Sequence, residues 1–252
     1  RSSPCRSRRR SPWTWLRRLG AVGERLPGVP VVYVPGNHDF WWDRGEERYT
    51  IRDQLAHGRD RAAALGIHLL LDDTVLIDGI RFLGGTLWTD FRLGSFSLTH
   101  AFRSAQGRDG MVDYRRIRTG PRSRDRIEPE EVFSLHRATR AFLDAELARP
   151  NDGPTVVVTD HAPQSDGLPD RHAHLAWYDA SDLTELVDER GPDPWARRYA
   201  CAYCMTNRQI RKPSAQVYRT VSLFSKCKRE HLHRLDFSCL TLRPPPLKGC
   251  LR

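Results

Sequence analysis

The sequence predicts an α/β layered sandwich, and three observations carry that expectation. Residues 31–34 (VVYV) and 155–158 (TVVV) are unbroken apolar and β-branched runs, the pattern of strands covered on both faces. Segments with helical spacing lie between and after these runs, so strands and helices alternate along the chain. Each run ends in polar, turn-forming residues, Pro35-Gly36-Asn37-His38-Asp39 after the first and Asp160-His161-Ala162-Pro163 after the second. In layered α/β folds chemistry collects at the carboxyl ends of strands.

The elements follow in chain order. Apolar residues at 13, 15, 16, 19, 22 and 26 predict an amphipathic helix over 13–26. Residues 31–34 form the first strand, and Gly36 provides its sharp exit. A helix over 46–65 ends at Gly66, a natural stop. Residues 67–71, 74–77 and 80–83 read as short strands, and Asp78-Gly79 between the last two is a hairpin turn. A loop follows from Gly84 to Asp90. Residues 103–127 are rich in Arg, Gly, Asp and Ser and predict a long irregular segment. Pro129 and the acids at 128, 130 and 131 open a long helix to about residue 149. The second apolar strand is at 155–159. A last helix spans 181–190, with Ser181 as its N-cap and Gly191 as its stop.

Charge and cysteine are unevenly spread over the 252 residues. The chain has a net charge of +10 and six cysteines. Residues 1–25 contain eight Arg and one acid, and residues 198–252 contain twelve Lys and Arg against two acids. The stretch 26–197 has 21 basic and 28 acidic residues, a net of −7, with no Cys and no Lys. Taken whole, the positive charge points to nucleic acid or an anionic surface. Resolved along the chain, it belongs to the two ends, and the acidic middle reads as the globular domain. Seven Trp and nine Phe supply a core and argue against wholesale disorder. No apolar run approaches the ~18 residues of a membrane-spanning helix, so no membrane partner is expected, and the expected setting is cytoplasmic. The division is a basic arm at 1–11, expected to be disordered, a domain at 12–197, and a basic, Cys-containing tail at 198–252. Residue 1 is Arg, so the chain is expected to be processed or a fragment.

Two loops carry candidate chemistry. Asn37, His38 and Asp39 place an amide oxygen, an imidazole and a carboxylate at one strand end, a set that can bind a cation and hold a proton donor beside it. Asp160 and His161 place a carboxylate and an imidazole at another. The alternative for each is a hydrogen-bonded turn with no ligand. If the two strands are near neighbours, the groups converge.

Residues 32–40 (VYVPGNHDF) resemble the Gly-Asn-His-Asp/Glu motif of calcineurin-like metallophosphoesterases. Residues 84–93 (GGTLWTDFRL), Asp113-Tyr114 to Arg118, His136-Arg137 and 155–163 (TVVVTDHAP) look like one bacterial branch of that family, in the same order. The resemblance covers roughly residues 12–195. It implies a four-layer α/β/β/α sandwich holding two divalent metal ions, usually Mn, Fe or Zn, that activate a water for hydrolysis of a phosphate ester. It implies that Asn37, Asp160 and His161 are metal ligands, and that His38 stabilises or protonates the phosphoryl transition state. Asp39 would orient the His38 ring. The position of Asp160 is normally a His in the family. The Asp-x-His and Gly-Asp strand ends that open the family pattern do not occur upstream of Asn37. The closing Gly-His-x-His is replaced after Trp195 by Ala196-Arg197-Arg198. The domain is therefore expected to be incomplete, truncated at its N-terminus and divergent or frame-shifted at its C-terminus, with impaired activity and doubtful occupancy of both metals.

Arg115 and Arg116 are candidate ligands for substrate phosphate, or else a solvated basic loop. His57, His68 and His136 read as packing or surface residues. His172 and His174 read as a surface loop rather than a ligand pair. In the tail, Cys201 and Cys204 could join Cys227, His231, His233 or Cys239 at zinc. Aromatic residues interleaved with Lys and Arg could bind RNA, and an out-of-frame translation accounts for the same composition. The alternative to an enzyme is accordingly a non-catalytic protein that contacts nucleic acid through its basic termini.

Overall fold

A computed structural model describes residues 30–41, 49–94, 96–122, 124–165 and 176–190, together with short strands at 195–197, 204–205 and 222–223. The fold is mixed α/β. Strand β1 (Val31–Tyr33) lies at the centre of a three-stranded parallel sheet, between β2 (Ile67–Leu69) and β8 (Ser222–Leu223). The second sheet has five strands in sequential order: β3 (Asp73–Ile77), β4 (Ile80–Gly85), β5 (Thr155–Thr159), β6 (Trp195–Arg197) and β7 (Cys204–Met205). Strands β4, β5 and β6 are parallel, and β3 and β7 run antiparallel at the edges.

The hairpin expected at Asp78-Gly79 is present, with Ile77 paired to Ile80. Both turn residues are left-handed, Asp78 at φ 49° and Gly79 at φ 79°, as a two-residue turn matched to strand twist requires. Helix α1 (Ile51–Ala64) starts at Thr50, whose hydroxyl accepts from the Asp53 amide at 3.2 Å while Asp53 accepts from the Thr50 amide at 2.9 Å. This reciprocal capping satisfies two amides that the first turn leaves open. The segment read as irregular from 103 to 127 is partly helical. Helix α2 (Leu98–Gln106) is capped by Ser97, and α3 (Asp113–Arg116) is a single turn. Short helices broken by Gly107 and Gly110 give too little period to be seen in sequence. Helix α4 (Pro129–Ala148) has Pro in its first turn, as expected. After the turn α5 (Ala176–Asp179), helix α6 (Thr184–Arg190) starts later than expected, and Ser181 does not cap it. The Thr184 amide donates instead to Asp182 at 3.1 Å, and the Ser181 hydroxyl accepts from the Asp90 amide at 3.2 Å.

Among the described residues, three of the apolar clusters join the layers. Val32, Val34 and Leu70, from the three-stranded sheet and its exit, pack with Ile80, Phe82, Val156 and Val158 of the five-stranded sheet. A β-carbon on Gly84 would overlap Leu70 and come within 2.9 Å of the Val34 side chain, so glycine there lets the sheets approach. Val31, Tyr33, Ile67 and Leu69 point the other way, into a cluster with Ala62, Ile51 and Leu55 of α1. Leu83 and Val157, on the opposite face of the second sheet, pack with Leu143 of α4 and with Leu186 and Val187 of α6. The two continuous apolar runs are therefore in different sheets, each buried on both faces. Among the described residues no helix is long and apolar enough to cross a membrane.

The 1–11 arm, the 13–26 helix, His172 and His174 lie outside the described residues. So does the zinc reading built on Cys201, Cys227, His231, His233 and Cys239. The tail contributes one short strand to each sheet, β8 beside β1 and β7 beside β6.

Candidate functional site

The site forms where the loops after β1 and β5 meet. Beyond β1 the backbone passes through Pro35 and Gly36 into one 3-10 turn, Asn37–Phe40. Gly36 has an ordinary extended conformation, φ −105° and ψ 173°, so the exit does not need glycine for its dihedrals. It needs glycine for space, because a β-carbon there would overlap the Asp160 carboxylate. This contact brings the two strand-end loops together although their strands belong to different sheets. Thr86, after β4, joins both: its hydroxyl donates to the Pro35 carbonyl at 2.8 Å, and its own carbonyl accepts from the His161 amide at 3.0 Å.

Within the turn the side chains divide by role. Asp39 is buried, and its Oδ2 accepts from the Tyr33 hydroxyl at 2.5 Å and from the Gly36 amide at 2.8 Å. It therefore ties the turn to the strand that precedes it. Asn37 is also buried, and its Nδ2 donates to Asp113 Oδ2 at 2.9 Å. His38 is exposed. Its ring lies against Trp41 with centroids 3.7 Å apart and planes tilted by 31°. The Trp41 indole N–H donates to Asp113 Oδ1.

At the other loop, His161 is buried, and its Nδ1 stands 3.6 Å from Asp160 Oδ2. Burial pushes its pKa below the usual histidine range, against the opposing pull of the Asp179 and Asp113 carboxylates and the hydrogen bond to Thr86. The ring packs against Trp88 at 5.8 Å, which in turn stacks on Phe40 at 6.3 Å. Leu87, Trp88 and Phe91 are all left-handed, at φ 70°, 52° and 59°, and all buried. Strained backbone of this kind persists only where the surroundings fix it, and it clusters at functional sites. Here the surroundings include His136, which is buried on α4. Its Nδ1 donates to the Leu87 carbonyl at 2.9 Å, so this ring is a structural support.

The two candidate arginines behave differently. Arg115 turns toward the loop before α3, with Nη1 at 3.4 Å from the Gly107 and Arg108 carbonyls. Arg116 reaches the site indirectly, its guanidinium 4.9 Å from the centre of the Trp41 ring. Asn37, His38, Asp39, Asp160 and His161 are thus grouped around one loop junction, Arg116 borders it, and Arg115 does not point into it. Asp113, Trp41 and Trp88 belong to the same group and were not read as site residues. No local spacing marks them. The one available signal was the position of Asp113 and Trp88 inside the segments that carry the family resemblance.

Among the described residues no group of three or more His, Cys, Asp and Glu side chains is arranged to hold a metal ion. The junction does offer a solvent-exposed imidazole, a carboxylate beside a buried neutral imidazole, and a rim guanidinium. These are groups suited to proton transfer and to an anionic substrate.

No protein-family model matches the chain, and no curated protein matches it by sequence. Among solved structures the fold is similar to that of a phosphopantetheinyl hydrolase (PptH) from Mycobacterium tuberculosis. The TM-score is 0.56 at 17% identity, over 90% of this chain and 78% of that one.

Proposed function

We propose that the chain is a hydrolase domain of the metallophosphoesterase type, acting on a phosphate ester, with impaired activity. The observation that carries this reading is the contact of Gly36 with the Asp160 carboxylate. It gathers the Gly-Asn-His-Asp turn and the Asp-His loop into one site. Two further observations support it. The neighbour of similar fold is named a hydrolase. The apolar clusters join α1 to the first sheet, the first sheet to the second, and the second to α4 and α6, which is the order of a four-layer sandwich. In this reading His38, exposed at the turn, donates a proton to the leaving oxygen, and Arg116 attracts the phosphate. Asp39 holds the turn that presents His38. No step is assigned to a metal.

The test is turnover of phenyl phosphate and diphenyl phosphate, whose phenoxide leaving group needs a proton, by the full chain, with and without added Mn²⁺. Removing a general acid costs about 10²–10⁴-fold, so His38→Ala should lose turnover by that order while retaining its circular dichroism. Absence of turnover in well-folded protein under both conditions overturns the reading.

A further inference from the structure

We infer that Asp113 is a positioning residue for His38, acting through Trp41. The inference deepens the phosphoesterase reading and rests on it for its catalytic consequence. Asp113 is buried at the start of α3 and accepts at both oxygens, from the Trp41 indole N–H at Oδ1 and from Asn37 Nδ2 at 2.9 Å at Oδ2. A carboxylate only accepts. Both donors are therefore held in one orientation, and the Asn37 amide cannot flip without setting its oxygen against a carboxylate.

The same short helix grips the indole a second time. Arg116 sits over the Trp41 ring at 4.9 Å, a cation–π contact. The indole is thus fixed by its N–H and by its face, and its ring backs His38 at 3.7 Å. An exposed imidazole has several staggered rotamers open to it. A fixed aromatic surface at this distance restricts them, and a proton donor contributes fully only when it is held in place. Asp113 is distant from His38 in sequence, and the Trp41 indole touches both. Its effect is transmitted through the indole.

The experiment compares Asp113→Asn, Trp41→Phe and the double variant in the full chain. An amide at 113 can accept from one donor while turning its own N–H₂ toward the other. Phe at 41 keeps a ring beside His38 but removes the indole N–H. Two readouts are taken: the kcat and KM for diphenyl phosphate, and the NMR shifts of the Trp41 indole proton and the His38 ring protons. Each single variant should lower kcat by about 10-fold to 100-fold with KM near the wild-type value. The double variant should be no worse than the singles, because both break one linkage. In Asp113→Asn the Trp41 indole resonance and the His38 ring protons should both move. Unchanged kcat, multiplicative loss in the double variant, or unmoved His38 resonances overturn the proposal. If Asp113→Asn does not fold, Trp41→Phe decides by kcat, an unchanged kcat overturning the proposal. If the wild-type chain hydrolyses no phosphate ester, the phosphoesterase reading falls. The resonances then decide alone, displaced ones supporting the linkage and undisplaced ones overturning it.

Discussion

The carboxylate of Asp160 occupies the space that a side chain on Gly36 would need. The contact joins the exit of β1 to the exit of β5, and it makes residue 36 a steric position rather than a dihedral one. Gly36→Ala should therefore destabilise the fold by about 1–3 kcal/mol, the usual cost of overpacking. The cost should shrink in an Asp160→Ala background, where the opposing group is gone. Chemical denaturation of the four proteins in that cycle measures it. Equal costs in both backgrounds would show that the contact is not the reason.

The Tyr33–Asp39 bond anchors the turn from below. Tyr33→Phe removes the hydroxyl 2.5 Å from a buried carboxylate and leaves the ring. Hydrogen bonds to charged groups are worth about 1.5–3 kcal/mol, so a loss of stability in that range is expected. If the chain is the phosphoesterase proposed above, its turnover should fall too, because the Gly36–Asp39 turn that presents His38 loosens. A Tyr33→Phe protein with wild-type stability would show that the bond contributes nothing net.

Acid should destabilise the protein partly through His136. Burial, the largest influence, lowers the pKa of this ring in the folded state, although Asp90 and the Leu87 carbonyl oppose it. Between the usual histidine value of about 6.5 and the lower folded value, the unfolded chain binds the proton and the folded chain does not. Stability therefore rises with pH in that window and is lost as pH falls through it. His136→Gln, which keeps a donor for the Leu87 carbonyl, should flatten the slope between pH 7 and pH 5.5 in denaturation curves. A slope equal to that of the wild type would remove His136 from the account.

The contact between the two sheets should dominate stability. Phe82 is buried in the cluster with Val32, Val34 and Val158. Phe82→Ala is expected to cost about 3–5 kcal/mol, against less than about 0.5 kcal/mol for Leu76→Ala, since Leu76 is 64% exposed. Comparable losses at the two positions would contradict the placement of the core.

Much of the fold was legible because it is written in local chemistry. The runs at 31–34 and 155–158 are strands for the reason that made them readable: both faces are covered. Asp78-Gly79 turns because both residues tolerate a left-handed backbone. Pro129 starts a helix where its missing N–H costs nothing. The errors have equally local causes. Ser181 looked like a cap, but its hydroxyl is taken by Asp90, ninety-one residues away. Residues 103–127 looked irregular because α2 begins upstream of that window at Leu98 and α3 is a single turn.

The site divides along the same line. Asn37, His38, Asp39, Asp160 and His161 were visible in sequence because each sits directly after a recognisable strand. By itself the sequence determined which strands end in Asn-His-Asp and Asp-His and which segments become strands and helices, since propensity, periodicity and turn residues act over a few neighbours. The tertiary structure decided that the two strands lie in separate sheets and still deliver their loops to one place. It also decided that Asp113 and Trp41 stand behind His38. Those outcomes depend on side chains far apart in the chain filling one space, and contact of that kind leaves no periodic trace in a single sequence.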